Sequence, residues 1–191
     1  MEQVKALRER TGAGIVEVKK ALDEAAGDEN KAIEILRKSG QAKAVKKGDR
    51  ETKEGVIVSY IHSNKRVGAL VKLVCETDFV SRTDEFQDLA RDIAMHITAA
   101  NPKYLKPEEV TDEDLVKEKE IWAEQLKNEG KPAEMLEKII EGKEAKFRSE
   151  NALLTQSFIK NPDITIGDLI TESIHKIGEN IQVSAFTRFE L

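Results

Sequence analysis

The chain has little with which to do covalent chemistry. A single cysteine, Cys75, occurs in 191 residues, so no internal disulfide can form. The three histidines, His62, His96 and His175, are far apart and do not fall with Cys75 into a recognisable nucleophile arrangement. No G-x-x-x-x-G-K-[ST] phosphate loop, no G-x-G-x-x-G fingerprint and no H-E-x-x-H zinc helix is present, so no metal site and no cofactor are expected. No apolar run approaches the length needed to cross a membrane, and Met1-Glu2-Gln3-Val4 starts without the basic and apolar segments of a signal peptide. A cytoplasmic protein without membrane contact is the expectation.

An excess of positive charge is also missing. Lys and Arg number 31 against 36 Asp and Glu, a formal net charge of -5, which argues against wrapping nucleic acid over the whole surface. What is present is 39% hydrophobic and 35% charged residues, a globular composition rich in solvated helix faces. With no visible site, an enzyme ranks last among the function classes.

The pattern predicts an α+β fold with a small helical domain first. Residues 1–40 read as three short helices carrying Val4 and Leu7, then Ile15, Val18 and Leu22, then Ile33 and Leu36. Gly12 and Gly14 flank the first turn, Gly27-Asp28 is a stop followed by an N-cap, and Ser39-Gly40 is read as the end of the third helix. Ile15 and Val16 are adjacent and cannot share a helix face, so one of them is expected at the surface, beside Leu7 and Arg8. Residues 41–54, with Lys43, Lys46, Lys47 and Arg50, read as a basic linker.

Residues 55–191 form the larger domain. Val56–Ile61 and Val67–Cys75 predict a hairpin, and Ile181, Val183, Ala185, Thr187 and Phe189 alternate along a closing strand that joins it. Phe86, Leu89, Ala90, Ile93, Ala94 and Ile97 predict the clearest helix, ended by Asn101-Pro102. Asp112–Asn128 and Pro132–Phe147 predict a helical hairpin around Glu129-Gly130-Lys131. A loop around Asn161-Pro162-Asp163 and a last helix over 167–177 follow. The whole is a three-helix domain followed by helices packed on a three-stranded antiparallel sheet.

The stretch Cys75-Glu76-Thr77-Asp78-Phe79-Val80 is the candidate functional junction. Thr77 and Asp78 are helix-starting residues, and they place Phe79 on a short segment between a strand and a helix. Phe79 either closes the core or stands out as an aromatic anchor next to a carboxylate.

That stretch, together with Leu7-Arg8-Glu9-Arg10-Thr11-Gly12-Ala13-Gly14, resembles the two signatures of the bacterial elongation factor Ts family. The likeness extends through Arg66–Val71, Ala94-Met95-His96-Ile97, Asn101–Tyr104 and Arg188-Phe189-Glu190, over nearly the entire chain. It implies a non-enzymatic guanine nucleotide exchange factor that binds elongation factor Tu, GDP-bound and nucleotide-free, and an N-terminal domain similar to the ubiquitin-associated fold. It further implies that Thr77, Asp78, Phe79 and Val80 press into the partner and dislodge its magnesium. Leu7, Arg8, Ile15 and Val16 would dock the small domain, and His96 would belong to a second contact surface. A single core copy, as in short members of the family, leaves monomer and homodimer both open. The alternatives are a ubiquitin-associated-like adaptor using residues 1–40 and an RNA-associated module using the basic stretch.

Overall fold

The structure is a computed structural model that describes residues 2–128 and 133–191. Its elements in chain order are α1 (Glu2–Thr11), α2 (Ile15–Glu24), α3 (Glu29–Lys47), β1 (Glu54–Ile61), β2 (Val67–Cys75), α4 (Asp78–Ser81) and α5 (Asp84–Ala100). They are followed by α6 (Asp112–Asn128), α7 (Ala133–Asn151), β3 (Ser157–Phe158), β4 (Asn161–Thr165), α8 (Ile166–Ile177) and β5 (Gln182–Glu190). Two compact units result, one from Met1–Thr98 with Asp168–Leu191, the other from Ala99–Gly167. The expected turn at Glu129–Pro132 lies outside the described residues.

In the first unit, α1 to α3 close around Leu7, Val18, Ala21, Leu22, Ala32 and Leu36. The chain reverses after α1 through Gly12 at φ 65° and after α2 through Gly27 at φ 85°, conformations that glycine adopts without a side-chain clash. Asp28 then caps α3, its carboxylate accepting from the amides of Asn30 at 3.0 Å and Lys31 at 3.1 Å.

The third helix does not stop at Ser39-Gly40 as its sequence suggests. It continues through the basic stretch to Lys47, and Gly40 is buried in its middle. There the His175 side chain of α8 lies 3.8 Å from where a Cβ would stand, an ordinary contact, so the glycine neither ends the helix nor is required by the packing. Lys46 and Lys47 occupy the last turn, where cations complement the helix dipole. Lys43 pairs with Glu17 of α2, and Lys47 donates to the Gly178 carbonyl.

The sheet of the same unit is antiparallel in the order β1-β2-β5. Its inner face carries Ala69, Val71, Leu73 and Val183, all buried. The buried stripe of α5, Phe86, Leu89, Ile93 and Ile97, supplies the rest of this core. Arg188 of β5 ties strand to helix by donating Nε–H to the Thr98 carbonyl at 3.0 Å. The alternation expected along the closing strand is broken. Lys72 faces Ala185 but Leu73 faces Val183, so a bulge at Ser184 inserts one extra residue. Val183 therefore points inward while Ala185, Thr187 and Phe189 face out, with Phe189 69% exposed.

In the second unit, α6 and α7 pack side by side through Trp122 and Phe147, whose rings stand edge to face at 5.9 Å. Arg148 of α7 donates Nη1–H to the carbonyls of Pro107 and Val110, each at 3.2 Å, and so holds the connection that precedes α6. The segment Asn161-Pro162-Asp163, expected as a loop, lies in β4, which pairs with β3 as a small separate hairpin. A proline fits there because a two-stranded ribbon leaves one edge of each strand without ladder bonds.

Candidate functional site

Three segments of the first unit converge where β2 ends. The thiol of Cys75 is buried and bonds to the Thr77 carbonyl at 3.2 Å. Burial, with the Glu179 carboxylate second, pushes that thiol up to about 11, so it is an inert filler rather than a nucleophile. Thr77 takes an extended conformation and caps α4, its hydroxyl oxygen facing the Val80 amide at 3.5 Å. The single turn of α4 ends at once, and Thr83 starts α5 by accepting from the Phe86 amide at 3.3 Å. The short segment expected to carry Phe79 between strand and helix is thus a single helical turn, separated from α5 by a short break.

On that turn Phe79 stands 79% exposed. A phenyl ring so placed leaves most of its apolar surface in water, a standing cost that burial against a partner removes. Asp78 beside it is partly exposed and pairs with Arg82 at 2.8 Å. Val80 is half-buried. A carboxylate, an aromatic ring and an aliphatic side chain are therefore offered together on one rigid corner.

Of the residues expected to dock the small domain, Arg8 is exposed, Ile15 is 52% exposed and Val16 is 77% exposed. Both aliphatics face water, not one of the two, because α2 begins at Ile15 and its first turn projects beyond the three-helix core. Leu7 is only 1% exposed and fills that core, so it can support a docking surface but not form one. His96 is wholly buried on the inner side of α5 and offers no contact surface. Its spacing with Ile93 and Ile97 put it on the buried stripe, and that was the signal to read.

Two residues at this corner escaped the sequence reading. The Glu179 carboxylate accepts from the backbone amides of Glu76 at 3.1 Å and Thr77 at 3.0 Å and from the Thr77 hydroxyl at 2.6 Å. Asn180, 1% exposed, donates its amide hydrogens to the carbonyls of Gly48 at 3.3 Å and Arg50 at 2.8 Å. Its backbone N–H meets Glu76 Oε1 at 2.7 Å. Gly178 at φ 92°, a turn glycine after α8, was the only local mark of this loop.

Among the described residues no cluster of three or more His, Cys, Asp or Glu side chains is placed to hold a metal ion. No helix in them is long and apolar enough to cross a membrane.

Comparison with known proteins gives the family. The family model described as elongation factor TS matches residues 3–191. The elongation factor Ts of Thermosipho melanesiensis is 58% identical over 186 residues, covering 97% of this chain and 95% of that protein. That of Fervidobacterium nodosum is 57% identical over 190 residues, covering 100% and 96%. That of Carboxydothermus hydrogenoformans is also 57% identical over 190 residues, covering 100% and 88%. With a family match over almost every residue and identities of this size over whole chains, the protein belongs to the elongation factor Ts family.

Proposed function

We propose that the chain is a guanine nucleotide exchange factor that binds elongation factor Tu in its GDP-bound and nucleotide-free forms and promotes GDP release, with Phe79 as its principal anchor. The family is one of exchange factors in translation elongation, and the single observation that carries the reading is the exposed ring at the tip of α4. Exchange of this kind needs no acid, base or nucleophile. The factor has to bind the nucleotide-free partner more tightly than the GDP-bound one, and linkage then loosens GDP by the same ratio. A loosening of about a thousandfold takes about 4 kcal/mol, within reach of one desolvated aromatic anchor and a few supporting contacts.

In this reading Phe79 and Val80 enter an apolar recess of the partner while Asp78 disturbs its magnesium ion. To do so Asp78 leaves Arg82, and an exposed i,i+4 pair resists that by only about 0.5 kcal/mol. Arg8, Ile15 and Val16 dock the three-helix part, with Leu7 beneath them. The adaptor alternative would use these same residues and leave Phe79 idle. The RNA alternative is weakened because Lys43 and Lys47 are engaged within the fold.

Stopped-flow release of fluorescent GDP from elongation factor Tu tests the reading. The intact protein should accelerate release, and Phe79→Ala should lose most of the acceleration while remaining folded. No acceleration by the intact protein would sink the exchange reading.

A second reading concerns self-association. The outer sheet face carries Ile57 at 74%, Ile61 at 67%, Leu70 at 42% and Phe189 at 69% exposure. Gly68 sits between Ile61 and Phe189 in the ladder and leaves an apolar groove of about 450 Å³ there. We propose that a second copy covers this face in a homodimer. Sedimentation of the intact protein and of Phe189→Asp should then give a dimer and a monomer respectively.

A further inference from the structure

We propose that Glu179 is a positioning residue for Phe79, acting through the backbone of Glu76 and Thr77; the assignment rests on the exchange reading above. Phe79 is too exposed for its direction to be set by packing around its own ring. The direction must come from the backbone that carries it. That backbone leaves the sheet at Cys75, and its next two amides have no ladder partner. One carboxylate oxygen of Glu179 takes both, and the other takes the Thr77 hydroxyl hydrogen. With its hydrogen committed to Glu179, the Thr77 oxygen is left as an acceptor toward the Val80 amide, the role that a cap must play. The start of the turn that bears Phe79 is thereby specified from 102 residues away.

The anchor is itself anchored. Glu76 reaches back across the same gap to accept from the Asn180 amide, and Asn180 holds the Gly48 and Arg50 carbonyls that follow α3. Gln182 adds a bond to Gly48 at 3.2 Å. Glu76 and Glu179 thus form a reciprocal clasp between the end of β2 and the loop before β5. A clasp of charge-assisted bonds to backbone amides is stronger than neutral pairing. Holding the segment in its binding geometry before the partner arrives removes an ordering cost at the interface.

The test is the GDP-release assay with the intact protein, Glu179→Ala and Glu179→Gln, each with Phe79 present and with Phe79→Ala. Exchange efficiency should fall by about tenfold for Glu179→Ala, the size expected when a positioned contact becomes loose. Glu179→Gln should fall between the intact protein and Glu179→Ala, since its amide oxygen can still accept from the two backbone N–H groups but its NH2 cannot accept the Thr77 hydroxyl hydrogen. In the Phe79→Ala background, Glu179→Ala should cost almost nothing more, because the side chain it aims is gone; effects that act through one another do not add. A purely structural role would instead lower activity equally in both backgrounds.

Thermal melting followed by far-ultraviolet circular dichroism, which reads the helices and sheet of both units, shows whether each variant is folded. If Glu179→Ala fails to fold, Glu179→Asp, which keeps the charge but shortens the reach, is read in the same way. If the intact protein is active and a folded Glu179→Ala is equally active, or loses activity equally in both backgrounds, the positioning role is wrong and the exchange reading stands. If the intact protein itself gives no acceleration, the exchange reading falls and this assignment falls with it.

Discussion

The Glu17 carboxylate of α2 lies 3.1 Å from Nε2 of His175 on α8, joining the three-helix part of the first unit to its last helix. The imidazole is only 9% exposed, and burial followed by the Lys43 ammonium holds its pKa below the ordinary 6.5, against the pull of Glu17. Lys47 adds to the depression. Glu17 itself is held below its usual 4.5, first by the hydrogen bond from Lys43. Its charge is therefore largely committed before His175 can use it.

A pH dependence follows with a definite sign. The folded state favours neutral His175, so the unfolded chain takes up that proton first as pH falls below 6.5. The stability His175 contributes is present above that value and is lost on acidification; the contribution of Glu17 is lost further down, below 4.5. Urea midpoints measured from pH 7.5 to 5 should fall, and His175→Asn should flatten the slope near pH 6. His62 and His96 are common to both proteins, so the difference between them reports His175. An unchanged slope would contradict the assignment.

The same substitution should act with opposite sign at two glycines. At Gly40, inside α3, an added Cβ meets His175 at an ordinary 3.8 Å, so Gly40→Ala should stabilise by about 0.5–1 kcal/mol through helix propensity. At Gly55, φ 155°, a Cβ would stand 2.2 Å from the Leu73 carbonyl oxygen across the β1–β2 ladder. Gly55→Ala should cost more than about 1 kcal/mol. Denaturant titration of both variants checks the contrast.

Cys75 should behave as a protected thiol. With its pKa raised to about 11 and its side chain buried, almost no thiolate exists at pH 8. An aromatic disulfide reagent should react slowly with the native protein and fast in denaturant. Rapid native labelling would mean that the end of β2 opens readily.

In the second unit, Arg148 is tested by Arg148→Lys. The guanidinium serves Pro107, Val110 and Glu144 at once, the last through Nε at 3.1 Å and Nη2 at 3.0 Å. A lysine keeps the charge but cannot reproduce that fork, and the loss should be about 1–2 kcal/mol. Stability equal to that of the intact protein would show that these bonds contribute nothing.

Much of this protein was determined by its sequence acting locally. Helical periodicity from Phe86 to Ile97, the Gly27-Asp28 stop and cap, the β1–β2 hairpin and the helix-starting Thr77 all depend on neighbours a few residues apart, and all are present. The motifs around Leu7 and Thr77 sufficed for the family. Only the tertiary structure decided the rest. Gly40 reads as a stop because glycine disfavours helices, yet α3 runs through it to Lys47, where Lys43 and Lys47 find partners in Glu17 and the Gly178 carbonyl. The Ser184 bulge turns Phe189 outward because register depends on the facing strand, Lys72 to Leu73, and not on the strand's own alternation. Ile15 and Val16 are both left in water because the first turn of α2 projects beyond the three-helix core. The clasp of Glu179 on Thr77 joins residues more than a hundred positions apart, a contact that no local preference of either residue encodes.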